Sequence, residues 1–325
     1  MDFSCYSKQS KITDPRQFIS MYKDLPDSPR ELLRVVQGLV IHGDQGKLYG
    51  VTFGKRQMAE ELLRTIPEML EKVLDIDSGT LTSTRPPHLR LVGMCRDYAL
   101  LLLSFLRHKG IPARLRVGFA DYFQSELKYE DHWIIEYYHL QEHRWVRVDA
   151  QLDGIQKAHY GITFDTEDMP WEGGYLLGGQ AWTLCRRGER HPEDFGYNKN
   201  WKGWHSLKGN LLHDFNSLLG MELLPWDLWT ELSTKKYSNL SRYEKDLLDE
   251  MAMLTSNPNI SEKDLLVLFN RLPKEYMEAI QSKFKLLYAL EETDYGIRIC
   301  WNQSFLFYKG GKSQTLLCLH KKRMP

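Results

Sequence analysis

The sequence predicts an α+β fold in which a helix packs on an antiparallel sheet, and three observations carry that reading. A glycine turn, Gly93-Met94, is followed by Cys95-Arg96-Asp97-Tyr98-Ala99 and the apolar run Leu100 to Leu103, which reads as a helix over 95–109. Three shorter runs follow at 114–119, 132–138 and 145–150, and their spacing and β-branched or aromatic content read as strands. The 325 residues are 42% hydrophobic and 26% charged, so a sizeable core can be buried without any unusual composition.

The N-terminal part, 14–92, reads as helical. Residues 29–40 place Leu32, Leu33, Val36 and Leu39 at helical spacing behind Ser28 as N-cap. Residues 57–74 repeat the pattern through Met58, Leu62, Ile66, Met69, Leu70 and Val73, and the glycine-bearing stretch 42–54 reads as a loop. Pro86, Pro87 and Gly79 make 76–93 an irregular approach to Cys95. Gly110 and Pro112 then stop the Cys95 helix. The core is read as 93–155. Residues 156–235 are rich in Trp and Gly and read as an irregular aromatic layer. Residues 236–325 return to helical patterns to about 292, broken at Asn257-Pro258 and Pro273, with a terminal hairpin turning at Gly310 and Gly311. No composition break divides these regions, so the expectation is one elaborated domain.

Lys plus Arg and Asp plus Glu balance at 43 each, so net charge gives no argument for a nucleic-acid or membrane partner. No run is long enough to span a bilayer, and the start of the chain lacks the apolar segment of a signal peptide. Five scattered cysteines (Cys5, Cys95, Cys185, Cys300 and Cys318) are no disulfide framework and point to the reducing cytoplasm. Two motifs are set aside. His139-Leu140-Gln141-Glu142-His143 has zinc-protease spacing only on a helix, and here it lies at a hairpin tip. Gly50-Val51-Thr52-Phe53-Gly54-Lys55 is one residue short between its glycines for a phosphate loop, and Arg56 stands where Ser or Thr is needed. No metal and no cofactor is therefore expected.

Cys95, His132 and Asp149 are the candidate catalytic set. A cysteine in the first turn of a helix faces free backbone N–H groups and the positive end of the dipole, which favour the thiolate. With Leu140-Gln141 as a two-residue turn, His132 pairs with Asp149 across the hairpin, and a slip of one or two residues leaves them neighbours. Asp149 then fixes the imidazole tautomer, as triad chemistry requires. Tyr122, Phe123 and Tyr129 on the loop before His132, together with Asp131, are candidate pocket residues. Asp97 reads as a structural acid in the first helical turn.

The segments Gly93-Met94-Cys95-Arg96-Asp97-Tyr98-Ala99, Leu106-Arg107-His108-Lys109-Gly110-Ile111-Pro112-Ala113-Arg114, Asp131-His132-Trp133-Ile134-Ile135-Glu136-Tyr137 and Trp145-Val146-Arg147-Val148-Asp149 resemble the transglutaminase-like superfamily. The resemblance covers about 85–155. It implies a papain-like α+β core and thiol chemistry on amides or related acyl groups, with Cys95 as nucleophile, His132 as general base and acid, and Asp149 as the orienting residue. The expected partner is thus a peptide, protein or small-molecule amide or acyl substrate. The family often places a Trp or Gln upstream of the cysteine for the oxyanion hole. Here no Trp precedes Trp133 and the nearest upstream Gln is Gln57, which leaves backbone, His88 or a distant group. Two other readings stand beside hydrolysis: an amide-forming acyltransferase, and a binding or scaffold protein that keeps the fold without catalysis.

Overall fold

The computed structural model describes residues 3–227, 230–283, 288–293 and 296–301. The helices and strands, in chain order, are α1 (Pro29–Leu39), β1 (Val40–His42), α2 (Lys55–Met58), α3 (Ile66–Ile76), β2 (Leu91–Gly93), α4 (Cys95–His108), β3 (Ala113–Ala120), β4 (Tyr129–His139) and β5 (Arg144–Val148). They continue as α5 (Gly154–Tyr160), β6 (Tyr175–Leu177), α6 (Gly178–Arg186), β7 (Phe195–Asn198), β8 (Trp201–Lys202), α7 (Trp204–Leu218), α8 (Glu231–Thr234), α9 (Arg242–Ser256), α10 (Glu262–Phe269), α11 (Lys274–Lys283), β9 (Tyr288–Thr293) and β10 (Gly296–Trp301). The main sheet has the order β6-β3-β4-β7-β8, with β5 also paired to β4. A separate short ladder joins β1 to β2 in parallel.

The helix opened by Cys95 is buried along nearly its whole length, from Arg96 to Arg107. A helix that is apolar on all sides belongs inside a core, and its leucines are each worth about 1.5–3 kcal/mol there. Its few polar side chains are matched. Ser104 Oγ donates to the Thr13 carbonyl at 2.6 Å, and Arg107 Nη1 meets Glu222 Oε1 at 2.9 Å. The strand and hairpin expectations hold, with β3 and β4 in an eight-pair antiparallel ladder from Ala113↔Tyr137 to Ala120↔Glu130.

Several expectations change. The run 57–74 is not one helix: α3 begins afresh at Ile66, because Thr65 accepts from the Glu68 N–H while the Glu68 side chain accepts from the Thr65 N–H, and Pro67 sits in the first turn. The hairpin turn has four residues, Leu140 to His143, rather than two, so His139 pairs with Arg144 and Ile135 with Val148. His143 takes a left-handed backbone (φ 53°) to close it. The Trp/Gly-rich region is far more regular than an irregular layer. It contains α5, α6 and α7 and strands of the main sheet. Its glycines are contacts rather than breaks: a Cβ on Gly178 would lie 2.8 Å from the Asn210 backbone of α7, and one on Gly179 would lie 2.5 Å from the Ala252 carbonyl of α9. At the C-terminal end, β9 and β10 already pair within 288–301, where helix was expected to 292. Gly310, Gly311 and Cys318 lie outside the described residues.

Candidate active site

The gap in one edge of β4 locates the site. On one side β4 is paired continuously to β3, but on the other it meets β7 only at Tyr129 and Glu130 and β5 only from Ile135 onward. Between these stretches the strand edge offers unpaired backbone groups, and the N-terminus of α4 fills the opening. The His132 imidazole and the Trp133 backbone N–H both act on the Cys95 thiol there.

The start of α4 is held rigidly. The Asp97 carboxylate accepts from the Met94 N–H at 3.0 Å and pairs with Arg96 Nη1 at 3.0 Å. The fully buried Arg96 also donates to the carbonyls of Leu223, Glu222 and Arg64, each at 2.8 Å. Asp97 is thus structural, as the sequence suggested. Gly93 is needed for a reason other than a turn: a Cβ there would come within 2.9 Å of the Asp97 carboxylate.

His132 Nε2 and Asp149 Oδ2 lie 2.7 Å apart with both side chains buried. The two-residue slip in register puts Asp149 just past the end of β5 instead of directly across from His132, and the contact survives because the next turn is pinned. The Asp149 N–H donates to the Thr166 carbonyl at 2.9 Å, and Asp149 Oδ1 accepts from the Gln151 N–H at 3.0 Å. Tyr122 donates its hydroxyl to the same Oδ2 at 2.6 Å. Phe123 sets its ring edge-to-face on the imidazole at 4.9 Å, and the Tyr175 hydroxyl donates to the His132 carbonyl at 3.0 Å.

Electrostatics follow from this packing. Burial by itself lowers the His132 pKa, but the charge and hydrogen bond of Asp149, helped by Cys95, overturn that and raise it to about 10. Burial pushes the Cys95 thiol up, against the pull of the His132 hydrogen bond and charge and of the Trp133 N–H. Asp131 is raised to about 6 by burial, and its Oδ1 is buried without a hydrogen-bond partner.

The other expected pocket residues divide. Tyr122 and Phe123 surround His132, Tyr122 as a partner of Asp149 more than as a wall. Tyr129 projects from the opposite face of β4 to His132, stacking on Phe195 at 4.4 Å and accepting from Arg190 Nε at 3.1 Å. His88 is exposed in the turn Pro87–Leu89, and no described contact links it to Cys95. Three residues, Tyr197, Asp44 and His42, were not expected from the sequence. Tyr197 donates to Asp44 Oδ2 at 3.1 Å, and Cys95 is among the groups that influence its phenol. His42 ends β1 opposite Gly93. Its signal was present, a lone histidine closing the apolar run Leu39-Val40-Ile41, but three residues are too few to read as a strand.

A helix-borne cysteine near a strand-borne histidine and its carboxylate, in an α+β fold, is an arrangement that can support thiol chemistry. Residues 54–150 match the family model of the transglutaminase-like superfamily, and this segment is a transglutaminase-like domain. Cys95, His132 and Asp149 all fall inside the match, while 1–53 and 151–325 lie outside it. The superfamily generally implies cysteine-based acyl transfer or hydrolysis. No curated protein and no solved structure matches the chain. Among the described residues, no helix is long and apolar enough to cross a membrane.

Proposed function

We propose that the protein is a cysteine hydrolase or acyltransferase that acts on a peptide, protein or small-molecule amide through a thioester on Cys95. The observation that carries this is the division of labour on one imidazole. His132 Nε2 is committed to the buried Asp149 at 2.7 Å, which leaves the other nitrogen for the sulfur at the head of α4. The Cys95 thiolate adds to the substrate carbonyl, so that an S–C bond forms and the carbonyl pair moves to oxygen. Collapse breaks the C–N bond, and His132 gives its proton to the departing amine. Water then loses a proton to His132 and attacks the thioester, and the C–S bond breaks to return the thiolate. An amine in place of water gives transfer instead. Hydrolysis is the simpler outcome, because nothing among the described residues singles out an amine acceptor. Cys95 and Cys185 form no disulfide, which suits a reducing, cytoplasmic setting.

A non-catalytic scaffold is the second reading, supported by the upward push of burial on the Cys95 thiol. Exposure to p-nitrophenyl acetate separates the two. Acetylation mapped to Cys95 by mass spectrometry, absent in Cys95→Ala, is the expected result. An unmodified Cys95, or equal turnover in Cys95→Ala, sinks the mechanism.

A further inference from the structure

We propose that His42 donates the side-chain hydrogen bond of the oxyanion hole. This rests on Cys95 being the nucleophile, and it supplies the group that the sequence left unassigned. Three structural features bring the His42 strand end beside the turn that leads into Cys95 and leave its side chain a hydrogen bond to give. The parallel β1–β2 ladder ends with His42 opposite Gly93, two residues before Cys95, and neighbouring strands lie only about 4.8 Å apart. The strand end is fixed by Tyr98 from the first turn of α4, whose hydroxyl donates to the Val40 carbonyl at 3.1 Å and meets the His42 backbone. The half-buried imidazole carries a buried Nδ1 with no hydrogen-bond partner. A buried polar atom without a partner costs about 1–3 kcal/mol, so its retention beside a nucleophile calls for a use.

The charge state suits that use. Burial lowers the His42 pKa to about 4, with the charge of His132 acting in the same direction and Asp44 against it. His42 is therefore neutral at pH 7, while His132 is the protonated partner of the thiol. A neutral imidazole N–H donates to a developing oxyanion without competing for the proton that His132 must deliver. As Cys95 adds to the carbonyl and the π pair moves to oxygen, the His42 N–H and the backbone N–H groups at the head of α4 face that charge. When the pair returns and the leaving group departs, His42 has neither gained nor lost a proton.

The test compares two reactions of the same sulfur. Acylation by p-nitrophenyl acetate passes through an oxyanion, whereas alkylation by iodoacetamide displaces iodide and forms none. His42→Ala is expected to slow Cys95 acylation by about 10²–10³-fold, the range for loss of one oxyanion donor, with alkylation rate and its pH profile unchanged. His42→Asn or His42→Gln, whose amide N–H groups reach the places of Nδ1 and Nε2, is expected to recover part of the acylation rate. Equal losses in acylation and alkylation overturn the proposal, because His42 would then act on the thiolate or the fold. Unchanged acylation overturns it as well. If the unaltered protein alkylates but never acylates at Cys95, the proposed function falls and this assignment falls with it.

Discussion

His132 and Glu136 lie four residues apart on the same face of β4, both buried and both held by charged partners, yet they are built for opposite purposes. Glu136 is saturated: Arg114 Nε at 2.8 Å, Arg116 Nη1 at 2.7 Å and Arg147 Nε at 3.0 Å converge on one carboxylate. Arg116 is shared with Asp214 of α7, and the guanidinium groups of Arg114 and Arg147 stack on Trp145 and Trp171 at 3.8 and 3.9 Å. Every charge there is fixed, so no proton has anywhere to go. His132 has one fixed carboxylate on one nitrogen and a titratable, half-buried thiol beside the other. A structural ion cluster and the proposed reactive pair thus differ in whether one partner is left free to change its protonation, rather than in burial or in the size of a pKa shift.

The largest expected effect comes from making His132 resemble a neutral, unanchored group. Asp149→Asn keeps the shape but removes the charge that raises the His132 pKa, and acyl transfer should fall about 10⁴-fold, near 5.4 kcal/mol of barrier. Single-turnover acylation of Cys95 measures this, and a loss below about tenfold would deny Asp149 an orienting role. The stability effect has a definite sign. The folded pKa of His132 is raised, so its contribution is full below the unfolded value of 6.5 and is lost as pH rises through about 10. The stability gap between the wild type and the Asp149→Asn variant should therefore close toward alkaline pH.

Glu136→Gln tests the other cluster and should cost about 3–5 kcal/mol, because three buried guanidinium groups lose their shared carboxylate. Burial would raise the Glu136 pKa, but Arg116, Arg114 and Arg147 hold it well below the usual carboxylate range. Its contribution is present above the unfolded value of 4.5 and is lost as pH falls below it, so here the gap should close toward acid. Urea midpoints across pH read both variants. If the gaps of the two variants closed at the same end of the pH scale, the contrast between the clusters would be wrong.

Much of this contrast was legible in the sequence, and the part that was not has a physical cause. Cys95, His132 and Asp149 stood out because a helix start and two alternating strands carry strong local periodicity. The register slip did no harm, since Asp149 is held by the Thr166 carbonyl and the Gln151 N–H more than by the ladder. Glu136 looked like one more strand residue, because nothing local announces that Arg114, Arg116 and Arg147 line up beside it. Gly178 and Gly179 misled in the other direction. A glycine that permits close helix packing and one that breaks a helix look alike until the opposing backbone is placed. His42 was hidden because a three-residue parallel strand gains its meaning only from β2, which lies about fifty residues further on.

The smallest expected effect separates support of the carboxylate from contact with substrate. Tyr122 donates to the same Asp149 oxygen that holds His132, and burial together with Asp149 keeps its phenol protonated. Tyr122→Phe removes a charge-assisted hydrogen bond, worth about 1.5–3 kcal/mol, while Phe keeps the ring contact with Phe123. Gln151 and His132 still hold the carboxylate, so only part of that energy should reach the transition state. The expected result is a fall in kcat of about tenfold with KM unchanged, the signature of an interaction that matters only during the chemical step. A rise in KM at constant kcat would instead make Tyr122 a wall of the substrate pocket and leave Asp149 oriented by its own turn.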